Sequence, residues 1–221
     1  MPDEPVEDVT RHHVEELRGD LHDEFDSRVP TERIDELLDD SLERLAGQAA
    51  VEDFLPVLAY RYARERLLAI TRPATREAGT WDVVFVSLSG AGRGQLAVGL
   101  TAALSGGAVA VHAAGSGAGG TVDPEVAHAL DEVGIDASEC YARPVSPEVL
   151  AAADVIVTMG RSVGPFDLPD GVRRLDWRVG DPVGAELAEV RRVRDDVERR
   201  VRALLEELGC PVVELGGGTS E

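Results

Sequence analysis

The chain contains neither lysine nor asparagine; its 22 basic residues are all arginine and stand against 42 acidic ones. Without lysine there is no Walker-type nucleotide loop, which needs an ammonium to reach the β- and γ-phosphates. A formal net charge of −20 leaves no excess of positive charge to neutralise phosphates, so neither nucleic acid nor an anionic membrane is an expected partner. Arginine as the sole basic residue reads as the coding bias of a GC-rich genome, and part of the acidity reads as salt adaptation. Cysteine is scarce. Cys140 and Cys210 have no metal-ligand spacing, and in a reducing compartment both are expected as ordinary thiols rather than a disulfide. There is no apolar run of about 18 residues to span a bilayer and no apolar signal segment at the start. The expectation is a cytoplasmic protein with no metal and no cofactor.

Against these absences stands one informative segment, Asp82-Val-Val-Phe-Val-Ser87-Leu-Ser-Gly-Ala-Gly-Arg93-Gly-Gln-Leu-Ala97. Val83 to Val86 form a short continuous apolar run, which suits a central parallel strand covered on both faces. Gly90, Gly92 and Gly94 allow positive φ, so that successive N–H groups of Leu88, Ser89, Gly90, Ala91, Gly92, Arg93 and Gly94 can turn inward. The following helix offers its N-terminal N–H groups and positive dipole end to the same point. Arg93 adds a planar fork that holds two oxygens of a tetrahedral anion. A structural tight turn is the plain alternative, but an arginine inside such a loop has little structural use without an anion or carboxylate partner. A dinucleotide fingerprint fits badly: its third glycine would fall at Gln95, and His112-Ala113-Ala114 offers no acid for a ribose.

The segment resembles the low-molecular-weight protein tyrosine phosphatases and the arsenate reductases that share their fold. In that family a strand ends in Cys-x5-Arg-Ser and a helix follows; Gly-Ala-Gly-Arg-Gly-Gln is similar to the reductase variant Asn-Ala-Gly-Arg-Ser-Gln. The resemblance puts Ser87 at the catalytic cysteine's position, Gly90 at that of the loop asparagine, and Gly94 at that of the serine that hydrogen-bonds the thiolate. It also puts Asp181, in Leu175-Asp-Trp-Arg-Val-Gly-Asp-Pro182, at the general acid. Ala153-Asp-Val-Ile-Val-Thr-Met-Gly160 is similar to the family's third strand. Ala113-Ala-Gly-Ser116 and Val122 to Asp136 are similar to the second strand's exit and the helix after it. Thiol-relay reductases carry a further cysteine pair where this chain has Arg161-Ser-Val-Gly-Pro-Phe166, so that relay is absent. A serine hydroxyl needs a partnered base to attack, and none is apparent beside Ser87 in the sequence.

Upstream, residues 9–70 carry three helical patterns. Val14, Leu17, Leu21 and Phe25 make one stripe; Ile34, Leu37, Leu38, Leu42 and Leu45 a second, behind Thr31 as N-cap; Phe54, Leu58, Tyr62 and Leu67 a third, with Pro56 in its first turn. A three-helix bundle over 1–72 follows. Its acidic surface is a poor match for a DNA reader. At Phe54-Leu-Pro-Val-Leu-Ala59 and Arg64-Glu-Arg-Leu67 it resembles the helical domain that precedes the phosphatase-like domain of some actinobacterial arsenate reductases. Packing, homodimerisation or binding of a protein partner is the expected role. His12, His13 and the acid-rich helices read as solvated faces.

Residues 73–80 read as a linker. From 81 to 221 strands and helices alternate, which indicates an α/β domain with a parallel sheet. Strands are expected near 82–87, 108–113, 154–159 and 172–176, and helices near 95–105, 124–133, 147–152 and 184–208. The family resemblance implies a four-stranded sheet of order 2-1-3-4, with the glycine loop at the reversal of strand order. The tail from Gly216 to Glu221 reads as disordered. His112 is the one histidine with a claim to reach the loop, its bland alternative being a satisfied core residue. Asp181 could instead be an N-cap or turn residue of the last helix.

The expected function is a degenerate phosphatase- or reductase-like protein that binds phosphate, sulfate, arsenate-like anions or phosphorylated ligands without thiol catalysis. The rival is an active phosphatase or arsenate reductase whose cysteine was exchanged for serine at 87; Gly90 and Gly94 speak against a single exchange. A natural serine phosphatase and a dinucleotide-binding module are weaker rivals.

Overall fold

A computed structural model describes residues 6–46, 54–72, 81–88, 90–115, 122–137, 143–160 and 170–216. The expected linker at 73–80, Ser89, Cys140, the segment 161–166 and the tail beyond Gly216 lie outside these residues. The chain divides into two compact units, Met1–Arg72 and Pro73–Glu221.

In the first unit α1 (Val6–Phe25), α2 (Thr31–Ala46) and α3 (Leu55–Thr71) bury Leu21, Phe25, Ile34, Leu37, Leu38, Leu45, Tyr62 and Leu67 in one core. Two details depart from the sequence expectation. The first intrahelical bonds of α2 go to the Pro30 carbonyl, from Arg33 N–H at 2.9 Å and Ile34 N–H at 3.2 Å, while the Thr31 hydroxyl turns to Asp26; Thr31 therefore does not cap the helix. Phe54 precedes α3 and is 67% exposed, because Pro56, Ala59 and Ala63 occupy the buried side in its place. The acid-rich faces also do more than meet water. Arg18 donates to Asp35 at 2.9 Å and Asp39 at 2.7 Å, Arg64 grips Glu24 with two bonds, and Arg66 donates to Asp40 at 2.6 Å and Ser41 at 3.2 Å. Burial pushes the Asp40 carboxyl up, but hydrogen bonds from Arg66 and Arg44 outweigh it and hold the group below the usual carboxylate range. Charge-assisted pairs thus tie all three helices together.

The second unit is a four-stranded parallel sheet of order β2-β1-β3-β4, with β1 Trp81–Ser87, β2 Val109–Gly115, β3 Val155–Met159 and β4 Arg173–Trp177. β1 is central, and Val83 to Val86 are each at most 1% exposed, as an apolar run in a doubly covered strand should be. Between the strands run α4 (Arg93–Ser105), α5 (Pro124–Asp131) and α6 (Pro147–Ala152), and α7 (Leu187–Glu207) closes the unit. The core of this unit joins Val190, Val193, Val197, Val201, Leu204 and Leu205 of α7 to Leu96, Leu100 and Leu104 of α4 and to the sheet. Two helix starts differ from expectation. α4 begins two residues early, at Arg93, because Gly92 already accepts its first backbone bonds; α7 begins at Leu187 because residues 181–186 are spent in a turn. Glu132, just beyond α5, is held by Arg191 and Arg194 of α7, and the hydrogen bonds from Arg191 bring its carboxyl down to about 2.

Among the described residues no helix is long and apolar enough to cross a membrane.

Candidate functional site

β1 leaves the sheet beside both β2 and β3, where the strand order reverses and an open α/β sheet presents a crevice beyond its carboxyl ends. Ser87 is the last residue of β1 and is 1% exposed; its Oγ accepts a bond from the Gly90 N–H at 3.2 Å. Gly90 takes φ +70, which lets the chain turn back over the strand end, and its carbonyl accepts from the buried Gln95 amide at 2.7 Å. Gln95 therefore braces the loop from the first turn of α4.

The other two glycines serve a different end from the one the sequence suggests. Gly92 has φ −125 and Gly94 lies within α4, so neither uses positive φ. A Cβ on Gly92 would stand 2.7 Å from Val183 Cγ2 and 2.9 Å from Pro182 Cγ; on Gly94 it would stand 3.3 Å from Ser87 Oγ. Gly92 thus admits the Asp-Pro turn, and Gly94 brings the helix against the serine. Among the described residues no side chain caps α4, and its first N–H groups and positive end lie at the loop.

Arg93 is the first residue of α4 and is 9% exposed. Its Nη2 lies 3.3 Å from Asp181 Oδ2. The structure thus joins the two charged residues singled out in the sequence, although they come from elements 88 positions apart in the chain. Asp181 is also a turn residue, its Oδ1 accepting from Val183 N–H at 3.3 Å, while the N-cap of α7 is Glu186. Leu88 is exposed at the rim, and the Ala91 carbonyl accepts from Asp123 N–H at 3.1 Å.

His112 does not belong to the site. It lies opposite Val84 in the register and pairs with Asp82 at 3.3 Å, toward the start of β1. Cys210 is equally remote: Trp81, the first residue of β1, donates to the Leu208 carbonyl at 3.1 Å, which places the segment after α7 at the other edge of the sheet. Burial pushes the Cys210 thiol up.

Two residues escaped the sequence reading. Asp123 caps α5, Oδ1 accepting from Glu125 N–H at 3.0 Å and Val126 N–H at 3.4 Å, and its Oδ2 accepts from Gly184 N–H at 2.9 Å. With its N–H on Ala91, it ties the glycine loop, α5 and the Asp-Pro turn together. The Asp-Pro pair at 123–124 is a helix-start signal, but nothing local tells of the Gly184 contact. Gly160, beyond β3, lies against the Arg93 guanidinium.

Residues 82–164 match the low molecular weight phosphotyrosine protein phosphatases, and residues 14–71 match the protein-tyrosine-phosphatase-like N-terminal domain. An arsenate reductase of Bacillus cereus is 36% identical over 99 residues, which are 43% of this chain and 72% of that protein. The chain belongs to the low molecular weight phosphatase family. A putative arsenate reductase of Halobacterium salinarum is 41% identical over 86 residues; the match spans 39% of this chain and 60% of that relative, and for an arsenate reductase of Brevibacillus brevis the chain spans 65%. Among solved structures, a thioredoxin-dependent arsenate reductase of Corynebacterium glutamicum aligns over 89% of this chain and 96% of its own, with TM-score 0.73 and 26% identity. An arsenate reductase in the phosphate binding state aligns over 58% of this family member and 98% of its own chain, with TM-score 0.52 and 30% identity.

Proposed function

We propose that the second unit binds tetrahedral phosphate-like oxyanions, free or as phosphorylated ligands, and does so without thiol catalysis. The observation that carries this reading is a buried arginine fork set at a helix N-terminus that no described side chain caps, over a loop whose base is a serine oxygen. Guanidinium, loop N–H groups and helix dipole all favour a dianion at one point. The group placed on Ser87 Oγ is the Gly90 N–H, a donor that stabilises negative charge and does not remove a proton. Oxyanion capture is thereby supported, and nucleophilic attack is not. The phosphate-binding state of a relative at 30% identity agrees with the proposed ligand class.

The test is a thermal-shift titration with phosphate, sulfate and arsenate at constant ionic strength. A ligand that binds only the folded state at 100 times its Kd adds ~2.7 kcal/mol, which moves the Tm by several degrees. Arg93→Ala is expected to abolish the shift. A parent protein indifferent to all three anions at millimolar concentration overturns the reading.

A further inference from the structure

Gly160 follows β3 directly, at φ +92. A Cβ built on it would stand 2.6 Å from Arg93 Nη1, 2.8 Å from Cζ and 3.1 Å from Nη2. Three guanidinium atoms close to one such point mean that the fork rests against the bare Cα in the volume a methyl group would fill. Asp181 meets the same head at Nη2 from a different segment. A guanidinium recognises two oxygens of an anion through the orientation of its plane, so whatever fixes the plane fixes the recognition.

We propose that Gly160 is a positioning residue for oxyanion binding: its bare Cα is the seat that sets the plane of the Arg93 guanidinium. The inference rests on the oxyanion reading above and assigns Gly160 a place in it. The atoms in the way of a side chain at 160 are the far end of a flexible arginine, so an added methyl displaces the fork while leaving the sheet intact. The penalty then falls on binding as well as on folding. Backbone strain at positive φ is the competing explanation for any defect, and Gly171 supplies the control. It has φ +83 in the same unit, and a Cβ there meets nothing within 4 Å among the described residues.

The experiment measures phosphate affinity by calorimetry, together with the anion-free Tm, for the full chain and for Gly160→Ala and Gly171→Ala. Both variants are expected to lower the anion-free Tm by a similar amount, since both put alanine in the left-handed region. Gly160→Ala is expected to weaken phosphate at least ten-fold, and Gly171→Ala less than two-fold. In an Arg93→Lys background, where the cation is a compact point charge without a plane, Gly160→Ala should change phosphate affinity less than two-fold. A Gly160→Ala protein that binds phosphate as the parent does overturns the seat while leaving the oxyanion reading in place. So does an equal loss in the Arg93→Lys background. A parent that binds no phosphate overturns both. A second measurement needs no variant at 160: the Arg93 Nε–H resonance, assigned by its loss in Arg93→Lys, should show hindered rotation about Nε–Cζ before any anion is added. Free rotation there overturns the seat even where Gly160→Ala does not fold.

Discussion

A serine hydroxyl and a cysteine thiolate ask different things of the same loop. The thiolate is the charged form at rest, and a ring of N–H donors with a helix dipole stabilises it; the hydroxyl is neutral and accepts a bond from the Gly90 N–H. Restoring the sulfur therefore tests how far the surroundings have changed with it. Ser87→Cys alone is expected to recover little hydrolysis of p-nitrophenyl phosphate, and Ser87→Cys with Gly94→Ser to recover more. A hydroxyl at 94 adds a donor to a charged acceptor, worth about 1.5–3 kcal/mol. Space for it is tight, since a Cβ on Gly94 would be 3.3 Å from Ser87 Oγ and 3.4 Å from Ala113 Cβ, so the helix must give slightly. In the restored protein Asp181→Asn is expected to slow hydrolysis by about 10²–10⁴-fold, the usual range for a lost general acid. Full activity from Ser87→Cys alone would argue that the loop is otherwise that of an enzyme.

The start of α5 carries more than a helix. Asp123 spends one carboxylate oxygen on the cap and the other on Gly184, so substitutions at 123 separate the two tasks. Asparagine caps as well as aspartate, but its amide NH2 cannot accept from Gly184 N–H. Asp123→Asn is expected to speed amide hydrogen exchange in residues 181–186 while keeping the helix end. Asp123→Ala should do the same and lose about 1 kcal/mol more stability, the usual worth of an N-cap. Unchanged exchange in Asp123→Asn would show that Pro182 and Val183, packed on Gly92, hold the turn unaided. The element scale is also where sequence and structure agree most closely. Val83 to Val86 form by local pattern and are found where pattern puts them. The misplacements fall at ends. The Thr31 side chain suits a cap, yet Pro30 holds the N-cap position, its carbonyl accepting the first helical bonds. The sequence pattern starts α7 too early because an Asp-Pro pair also suits a turn.

At the scale of the molecule, charge dominates. A net charge of −20 repels itself in the compact state, and salt screens that repulsion within a Debye length of about 10 Å at 0.1 M and 3 Å at 1 M. The opposing effect is the weakening of exposed ion pairs such as Arg44–Asp40 and Arg199–Asp196, each worth little singly. Raising KCl from about 0.05 to 1 M is therefore expected to raise the Tm in a calorimetric scan. A fall would show that the arginine clamps between α1, α2 and α3 outweigh the repulsion.

What the sequence determined by itself is whatever rests on neighbours along the chain. The apolar run, the glycines and the arginine within residues 82–97 specify strand, loop and helix, and three apolar stripes specify three helices. The tertiary structure alone decided what meets Arg93. Gly160 comes from just beyond β3 and Asp181 from the turn after β4, while Asp123, from the start of α5, meets the neighbouring loop at the Ala91 carbonyl. No spacing in the chain encodes their approach. They converge because parallel strands deliver all their carboxyl ends to one edge of the sheet, and because a glycine at 92 and another at 160 leave room for a turn and a guanidinium to come close.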